Sequence, residues 1–418
     1  MNVETVLSGK RIILGVTGSI AAYKAATLAS RLTQAGVQVD VIMTEAAVRF
    51  ITPLTFQALT GRPVYTSMWQ TETGGGLGTH IAHVGLAHQA DLLLIAPATA
   101  QTIARVALGL ADDLLSVTAL AARCPILIAP AMDAGMYENP AVRQHVETLR
   151  ARGVHFAGPA MGRMASGLEG LGRFLEPDEI VGHCRRVLGS TGPLRGRHVV
   201  VTAGPTREPL DPVRFISNYS SGRQGFALAQ AAVDYGAQVT LITGPVSLPA
   251  PVGVQRVEVE EARQMLEAVL AHAAGERPAD ALIMCAAVGD FRPARPAQHK
   301  IKKGEDTRAD SPLRIELEEN PDILLEVSNQ PRRPKVTVGF AAESHDLITH
   351  AQAKLIRKKL DLIVANDITA ADAGFMAETN RVVLITHEGI EELPLMHKEE
   401  VAARVIRWVA ARLADSAG

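Results

Sequence analysis

Residues 11–36 read RIILGVTGSIAAYKAATLASRLTQAG, and the order of their parts decides the fold. The opening RIILGV is a nearly unbroken aliphatic run. A continuous run of this kind marks a strand buried on both faces, not the alternation of a half-solvated one. A short Gly/Ser turn follows, and then an Ala/Leu-rich stretch of helical length. Gly36 closes it and suits the C′ position after a helix.

The same rhythm extends outward in both directions. QVDVIM, DLLLIA, PILIA and the weaker VHFAG repeat the strand, and helical stretches separate them. Strand–helix–strand repetition predicts a parallel sheet covered by helices on both faces. The pattern breaks at LGSTGPLRGR, residues 188–197, where Ser, Gly and Pro cluster. It restarts with HVVVTAG, QVTLITG, DALIMCAAV, KVTVGFA, LDLIVAND and RVVLITHEG. Two tandem doubly wound α/β domains are expected, over 1–189 and 190–418. The first is read as flavodoxin-like and the second as Rossmann-like.

Bulk composition removes several function classes. In 418 residues, 47% are hydrophobic and the formal net charge is −2, so no global field points to nucleic acid or an anionic surface. Three cysteines without a CxxC pair argue against a disulfide framework or a zinc cluster and fit a reducing cytoplasm. The N-terminus carries an early acid and only a short apolar run, so neither a signal peptide nor a membrane span is expected there.

In the first half, small residues gather at strand ends, where open α/β sheets collect ligands. Gly15 and Gly18 permit close backbone approach, and Ser19 is a candidate cap for an anion-binding helix N-terminus. The turn lacks GxGxxG, so it suits a mononucleotide better than a dinucleotide. Pro97, Ala98 and Thr99 end the next buried run, and PAMD ends the one after. His80, His83 and His88 form no complete metal set, so a single general base is the better reading.

In the second half, VTAGPTREPLDPVRFISNYSSGRQG places Ser220, Ser221 and Gly222 where a helix opens after a long loop, which suits phosphates. A capped helix after a loop is the bland alternative. Asp290 ends the run MCAAVGD and can hold a metal or a ribose hydroxyl. Lys300, Lys302 and Lys303 can neutralise a triphosphate or merely face solvent. ENPDIL reads as a turn starting a helix, and Lys354 and Lys358 share one helix face.

Taken in order, GVTGSIAAYK, His-V-x-L-x-x-x-AD, LLLIAPATA, ARVALGLADDLL and PAM resemble the flavin-dependent cysteine decarboxylases. TAGPTREPLDPVRFISNYSSG, AAV-D, KIKK, NPDI, GFAAE and LDLI-AND resemble the phosphopantothenate–cysteine ligases. Together they resemble the bacterial bifunctional phosphopantothenoylcysteine decarboxylase/phosphopantothenate–cysteine ligases of coenzyme A biosynthesis. The resemblance implies that 4′-phosphopantothenate, cysteine and CTP are joined through an acyl-cytidylate with Mg²⁺. The product is then decarboxylated with FMN, which takes a hydride from the cysteinyl carbon and later returns it, a cysteine supplying the proton.

Carried over by position, the resemblance implies His83 as base, with His80 the alternative. It implies a cofactor set of Gly18, Ser19, Thr44, Pro97, Ala98 and Thr99. It assigns Asn218 to the acyl-cytidylate. The nucleotide set is Ser220, Ser221, Gly222, Asp290, Lys300, Pro321, Asp322, Ile323, Phe340, Lys354 and Lys358, with Asp290 also toward the metal and Lys300 assisting chemistry. It further implies a homo-oligomer, trimeric in the flavin domain and dimeric in the ligase domain.

Two positions depart from the pattern. Asp133 stands where the family has an Asn that helps hold the substrate carboxylate, and Ser166 stands where it has the proton-donating Cys. An ionised Asp133 repels a carboxylate unless a cation such as Arg163 neutralises it. A serine hydroxyl is a far weaker acid than a thiol of pKa about 8.5.

Overall fold

The computed structural model describes residues 5–69, 82–302, 313–343, 346–367 and 377–415. The chain divides into two compact units, 1–189 and 190–418.

In the first unit the aliphatic runs become β1 (Arg11–Val16), β2 (Gln38–Met43), β3 (Val64–Tyr65), β4 (Leu92–Ala98), β5 (Ile126–Pro130) and β6 (His155–Phe156). Among the described residues they form one parallel sheet in the order β3-β2-β1-β4-β5-β6. Without the two-residue edge strand β3, this is the flavodoxin-like order. The chain winds from β1 through β2 to β3, then crosses to β4 on the other side of β1 and winds on to β6, so the topological switch lies between β1 and β4. Ile12, Leu14, Val16, Leu92 and Leu94 pack on one face of the sheet, and Ile13, Leu93 and Ile95 on the other; all are fully buried. Burial on both faces accounts for the absence of alternation in the sequence. Gly36 takes φ +82° just past the helix Ala22–Gln34, as its position predicts.

A hairpin that the rhythm did not announce follows β6. Its strands are β7 (Ala160–Arg163) and β8 (Glu169–Arg173), with Ser166 in the connecting loop. It lies against the segment after β5, because β8 offers bare backbone there. A Cβ on Gly172 would stand 2.3 Å from the Met132 carbonyl oxygen, and one on Gly170 2.5 Å from Ala134 Cβ. Met132 N–H donates to Gly172 O at 3.1 Å.

The second unit contributes β9 (His198–Ala203), β10 (Arg207–Pro209), β11 (Phe215–Ser217), β12 (Gln238–Thr243), β13 (Gln255–Glu258), β14 (Ala281–Met284), β15 (Phe291–Pro293), β16 (Leu317–Glu319), β17 (Val336–Glu343), β18 (Leu362–Asp367), β19 (Thr379–Asn380), β20 (Val382–Ile385), β21 (Ile390–Glu392) and β22 (Met396–His397). Its main sheet runs β13-β12-β9-β14-β17-β18-β20-β21. The first six strands are parallel and switch direction of winding between β9 and β14. The last two join antiparallel, β20 to β18 and β21 to β20. RVVLITHEG contains a strand and the turn of a hairpin, and an antiparallel edge on a parallel sheet is common. The pairs β10–β11, β15–β16 and β19–β22 are short antiparallel ribbons above the strand ends.

No helix among the described residues is long and apolar enough to cross a membrane.

Candidate functional site

Three hydrogen bonds draw the strand ends of the first unit together. Buried Thr17 donates its hydroxyl to Pro97 O at 2.7 Å and accepts from Thr99 N–H at 3.1 Å. Ala131 N–H donates to Ala98 O at 3.0 Å. The ends of β1, β4 and β5 therefore form one ledge at the switch point, where open sheets bind ligands. Thr44 and Thr99 are the N-caps of the helices Glu45–Val48 and Ala100–Leu108, each accepting from the backbone three residues on. Gly18 packs against Ala46, where a Cβ would come within 2.5 Å.

Ser19 corrects an expectation. The N-cap of the helix Ala22–Gln34 is Ala21, without a side-chain bond. The Ser19 hydroxyl instead accepts from Ala21 N–H at 3.3 Å, forming a turn just before the helix.

Asp133 and Ser166 meet. Asp133 caps the short helix Ala134–Glu138, its Oδ1 accepting from Gly135 N–H at 3.1 Å. Its Oδ2 accepts from the Ser166 hydroxyl at 2.7 Å. Among the described residues, Arg163 makes no ion pair with it, which corrects the neutralisation expected of that side chain. The hydroxyl comes from the hairpin that Gly170 and Gly172 seat against this segment. His83 falls in the helix Ala82–Gln89, but its side chain lies outside the described residues, as does the whole of His80.

In the second unit the switch point opens into a cavity of about 560 Å³. It is lined by Asn218, Ser220, Ser221, Gly222, Asp290, Pro321, Asp322, Ile323, Phe340, Lys354 and Lys358, so it gathers the expected residues with one exception. A separate hollow bounded by Arg207, Arg256 and Glu260 collects none of them.

Local bonds explain how the lining is held. Buried Thr202 accepts from Cys285 N–H and Ala286 N–H, both at 3.1 Å, and so shapes the turn after β14. Asn218 Nδ2 donates to Val288 O at 3.0 Å and Asn320 Nδ2 to Gly289 O at 2.8 Å. These two amides fix the segment that carries Asp290. The helix Arg223–Asp234 starts from Gly222, whose φ of +75° favours glycine. It lies close on the sheet because a Cβ on Gly225 would be 2.5 Å from Ala203 Cβ. Asp322 caps the helix Ile323–Ser328 and pairs with Lys358 Nζ at 2.9 Å.

Lys300 is the exception. It is exposed on the segment after β15 and does not line the cavity. Its neighbour Ile301 is anchored, donating its N–H to Asp211 Oδ2 at 3.1 Å. Asp211 is buried, and hydrogen bonds from the Arg214 side chain hold its carboxyl well below the usual carboxylate range. Lys303 lies outside the described residues.

Among the lining residues that sequence reasoning missed are Gln224, Asn366, Asn380 and Lys398. Asn366 carried a readable signal, since it ends the buried run LDLIVAND. Asn380 and Lys398 belong to a short ribbon and a helix start with no local motif. Among the described residues, no group of three or more His, Cys, Asp or Glu side chains is placed to hold a metal ion.

Residues 1–189 match the family described as flavoprotein, and residues 194–413 the C-terminal domain of the DNA/pantothenate metabolism flavoproteins. The chain is 47% identical over 403 residues to the coenzyme A biosynthesis bifunctional protein CoaBC of Vibrio cholerae serotype O1, covering 96% of this chain and 98% of that one. It is 45% identical over 409 residues to the protein of the same description from Bacillus subtilis strain 168, covering 97% and 98%. A crystal structure of the C-terminal domain of a CoaBC protein is 38% identical, covers 54% of this chain and all of that one, and gives a TM-score of 0.45.

Proposed function

This chain belongs to the bifunctional proteins of coenzyme A biosynthesis, which both synthesise and decarboxylate phosphopantothenoylcysteine, and from that premise we propose how its two units divide the work. Unit 190–418 joins 4′-phosphopantothenate to cysteine, using CTP. Unit 1–189 decarboxylates the product with FMN. The observation that carries the ligase assignment is the single cavity gathering Asn218, the Ser220–Gly222 turn, Asp290, Phe340, Lys354 and Lys358.

The residues fit these roles chemically. The N-terminus of the helix Arg223–Asp234, with Lys354 and Lys358, supplies positive potential for a triphosphate. Asp290 offers one carboxylate toward Mg²⁺. That suits an ion which takes most of its ligands from phosphates and water, and it fits the lack of a larger acidic cluster among the described residues. Asn218 holds the acyl-cytidylate, its amide already oriented by Val288 O. Lys300 stabilises the charge that gathers as pyrophosphate leaves, delivered by the segment anchored on Asp211.

In the first unit, the ledge at Pro97–Thr99 and the loop at Gly18–Ser19 are the residues that would hold FMN. When bound, FMN supplies the hydride chemistry. His83 acts as the base. Asp133 and Ser166 close the substrate end as one hydrogen-bonded pair.

That pair favours a second reading of the last step. The Ser166 proton is already directed at Asp133 Oδ2, and a hydroxyl is a poor acid. The decarboxylated enethiol then leaves with its two electrons still held by the flavin, so one enethiol forms per flavin unless dioxygen takes those electrons up. Incubating the protein with phosphopantothenate, cysteine and CTP and weighing the product separates the readings. Phosphopantetheine supports the full sequence. A product two hydrogens lighter supports the stalled one. Phosphopantothenoylcysteine alone overturns decarboxylation by this chain.

The flavin unit is proposed to trimerise and the ligase unit to dimerise. Exposed Ile20, Tyr23, Leu54, Leu108 and Leu120 on the first unit support burial in an assembly, and native mass spectrometry reads the stoichiometry. Three unbridged cysteines are consistent with work in the cytoplasm.

A further inference from the structure

One wall of the ligase cavity has no assigned occupant. Among the described residues it carries three buried side-chain oxygens without a hydrogen-bond partner: Gln224 Oε1, Asn366 Oδ1 and Asn380 Oδ1. Asn380 is only 4% exposed. The Gln224 amide cannot turn over, because its Nε2 donates to Lys398 O at 3.0 Å; its oxygen is therefore a true acceptor. Lys398, 7% exposed, lines the same wall. Gln224 and Lys398 sit in the first turns of the helices Arg223–Asp234 and Lys398–Asp415, so two positive helix ends abut it.

Folded proteins seldom leave buried acceptors unpaired, and three on one cavity wall point to a ligand that brings hydrogen-bond donors. The lysine and the helix ends point to an anion. A phosphate satisfies only the second demand. It is mostly an acceptor at neutral pH, and amide oxygens repel it. A nucleobase satisfies only the first. An α-amino acid meets both, with an amine and a carboxylate on one carbon.

We propose that this wall is the subsite for cysteine, the second substrate of the ligation, an inference that rests on the ligase reading of this unit. The amine donates to the oxygens of Gln224, Asn366 and Asn380, and the carboxylate pairs with Lys398. The ammonium gives one proton to solvent. Its freed lone pair then attacks the acyl carbon of the acyl-cytidylate. The C–N bond forms, the acyl–oxygen bond breaks, CMP leaves with that electron pair, and the second proton passes to solvent. Amide oxygens suit this role because they hold the N–H groups without competing for the proton.

The test uses the full-length protein and two assays. CTP–pyrophosphate exchange with phosphopantothenate needs no cysteine and reports the first half-reaction. Ligation reports both halves. Asn380→Leu and Gln224→Met are expected to raise KM for cysteine about tenfold or more while exchange stays within about twofold. Lys398→Met is expected to lower kcat/KM for cysteine to the value for cysteamine, which lacks the carboxylate, with little change for cysteamine itself. Melting curves guard against misfolding, and Asn380→Ser gives the same split if the Leu substitution unfolds the unit. Equal loss of exchange and ligation in a variant that melts normally would place the nucleotide on this wall and overturn the proposal. So would an unchanged cysteine KM in all three. A wild-type protein that shows neither exchange nor ligation defeats the ligase reading instead.

Discussion

At the scale of single residues, Asp133 separates what a local pattern tells from what it cannot. Its place one residue before a short helix makes a cap readable from the sequence, and the cap is there. Its partner Ser166 is 33 residues away in the chain, and no local spacing encodes that meeting. Arg163, the cation suggested for Asp133, is equally remote in the chain, and the hairpin carries Ser166 to the carboxylate instead. The cap makes a stability prediction. Asn caps as well as Asp, so Asp133→Asn should leave stability within a few tenths of a kcal/mol, whereas Asp133→Ala should cost about 1 kcal/mol in urea unfolding. The cysteines give another. Burial pushes the Cys184 thiol up to about 12, so almost no thiolate exists at pH 8. It should resist iodoacetamide in the native protein and react once it is unfolded, as peptide mass spectrometry would register.

At the scale of elements, the long strands were legible because burial on both faces writes continuous aliphatic runs. The ribbons and the β7–β8 hairpin were not, since two- to five-residue strands leave too few positions for any period to emerge. The direction of β20 was equally hidden, because RVVLI reads the same whether its neighbour runs with it or against it. Glycine spacing in EGLGR is the hairpin's one readable trace. Gly172→Ala would drive a methyl into the Met132 carbonyl and should cost about 1–3 kcal/mol, with decarboxylation lost and ligation retained. A comparable test applies to the Lys300 segment. Asp211→Asn removes the charge that holds Arg214 and weakens the anchor of Ile301. It should lower ligase kcat/KM for CTP about tenfold and spare decarboxylation of supplied phosphopantothenoylcysteine. The pH dependence has a definite sign. The Asp211 carboxyl is depressed in the fold, so its contribution is complete above the unfolded value of about 4 and disappears as pH falls further. Ligation should therefore keep its Asp211-dependent part down to about pH 4 and lose it only below that, as a pH profile of wild type against Asp211→Asn would register.

At the scale of the whole molecule, each unit has its own buried cores. The clusters of the first draw on residues up to Leu188, and those of the second begin at Leu194. Calorimetry should accordingly resolve two transitions, FMN raising one and CTP the other, because a ligand stabilises only the unit that binds it. Most of this plan was legible, since a Ser/Gly/Pro cluster interrupts a strong rhythm. The deep wall of the ligase cavity was not, because its residues come from four separate elements and share no motif. The proposed division of labour also runs against the direction of synthesis: the half made last performs the first reaction and hands its product to the half made first. Because the described cores fall on either side of residues 189–193, a gene cut there would leave two messages, each encoding a unit with cores of its own. What fusion secures is copy number. Every transcript yields one ligase and one decarboxylase, so a cell cannot overproduce the maker of the intermediate relative to its consumer.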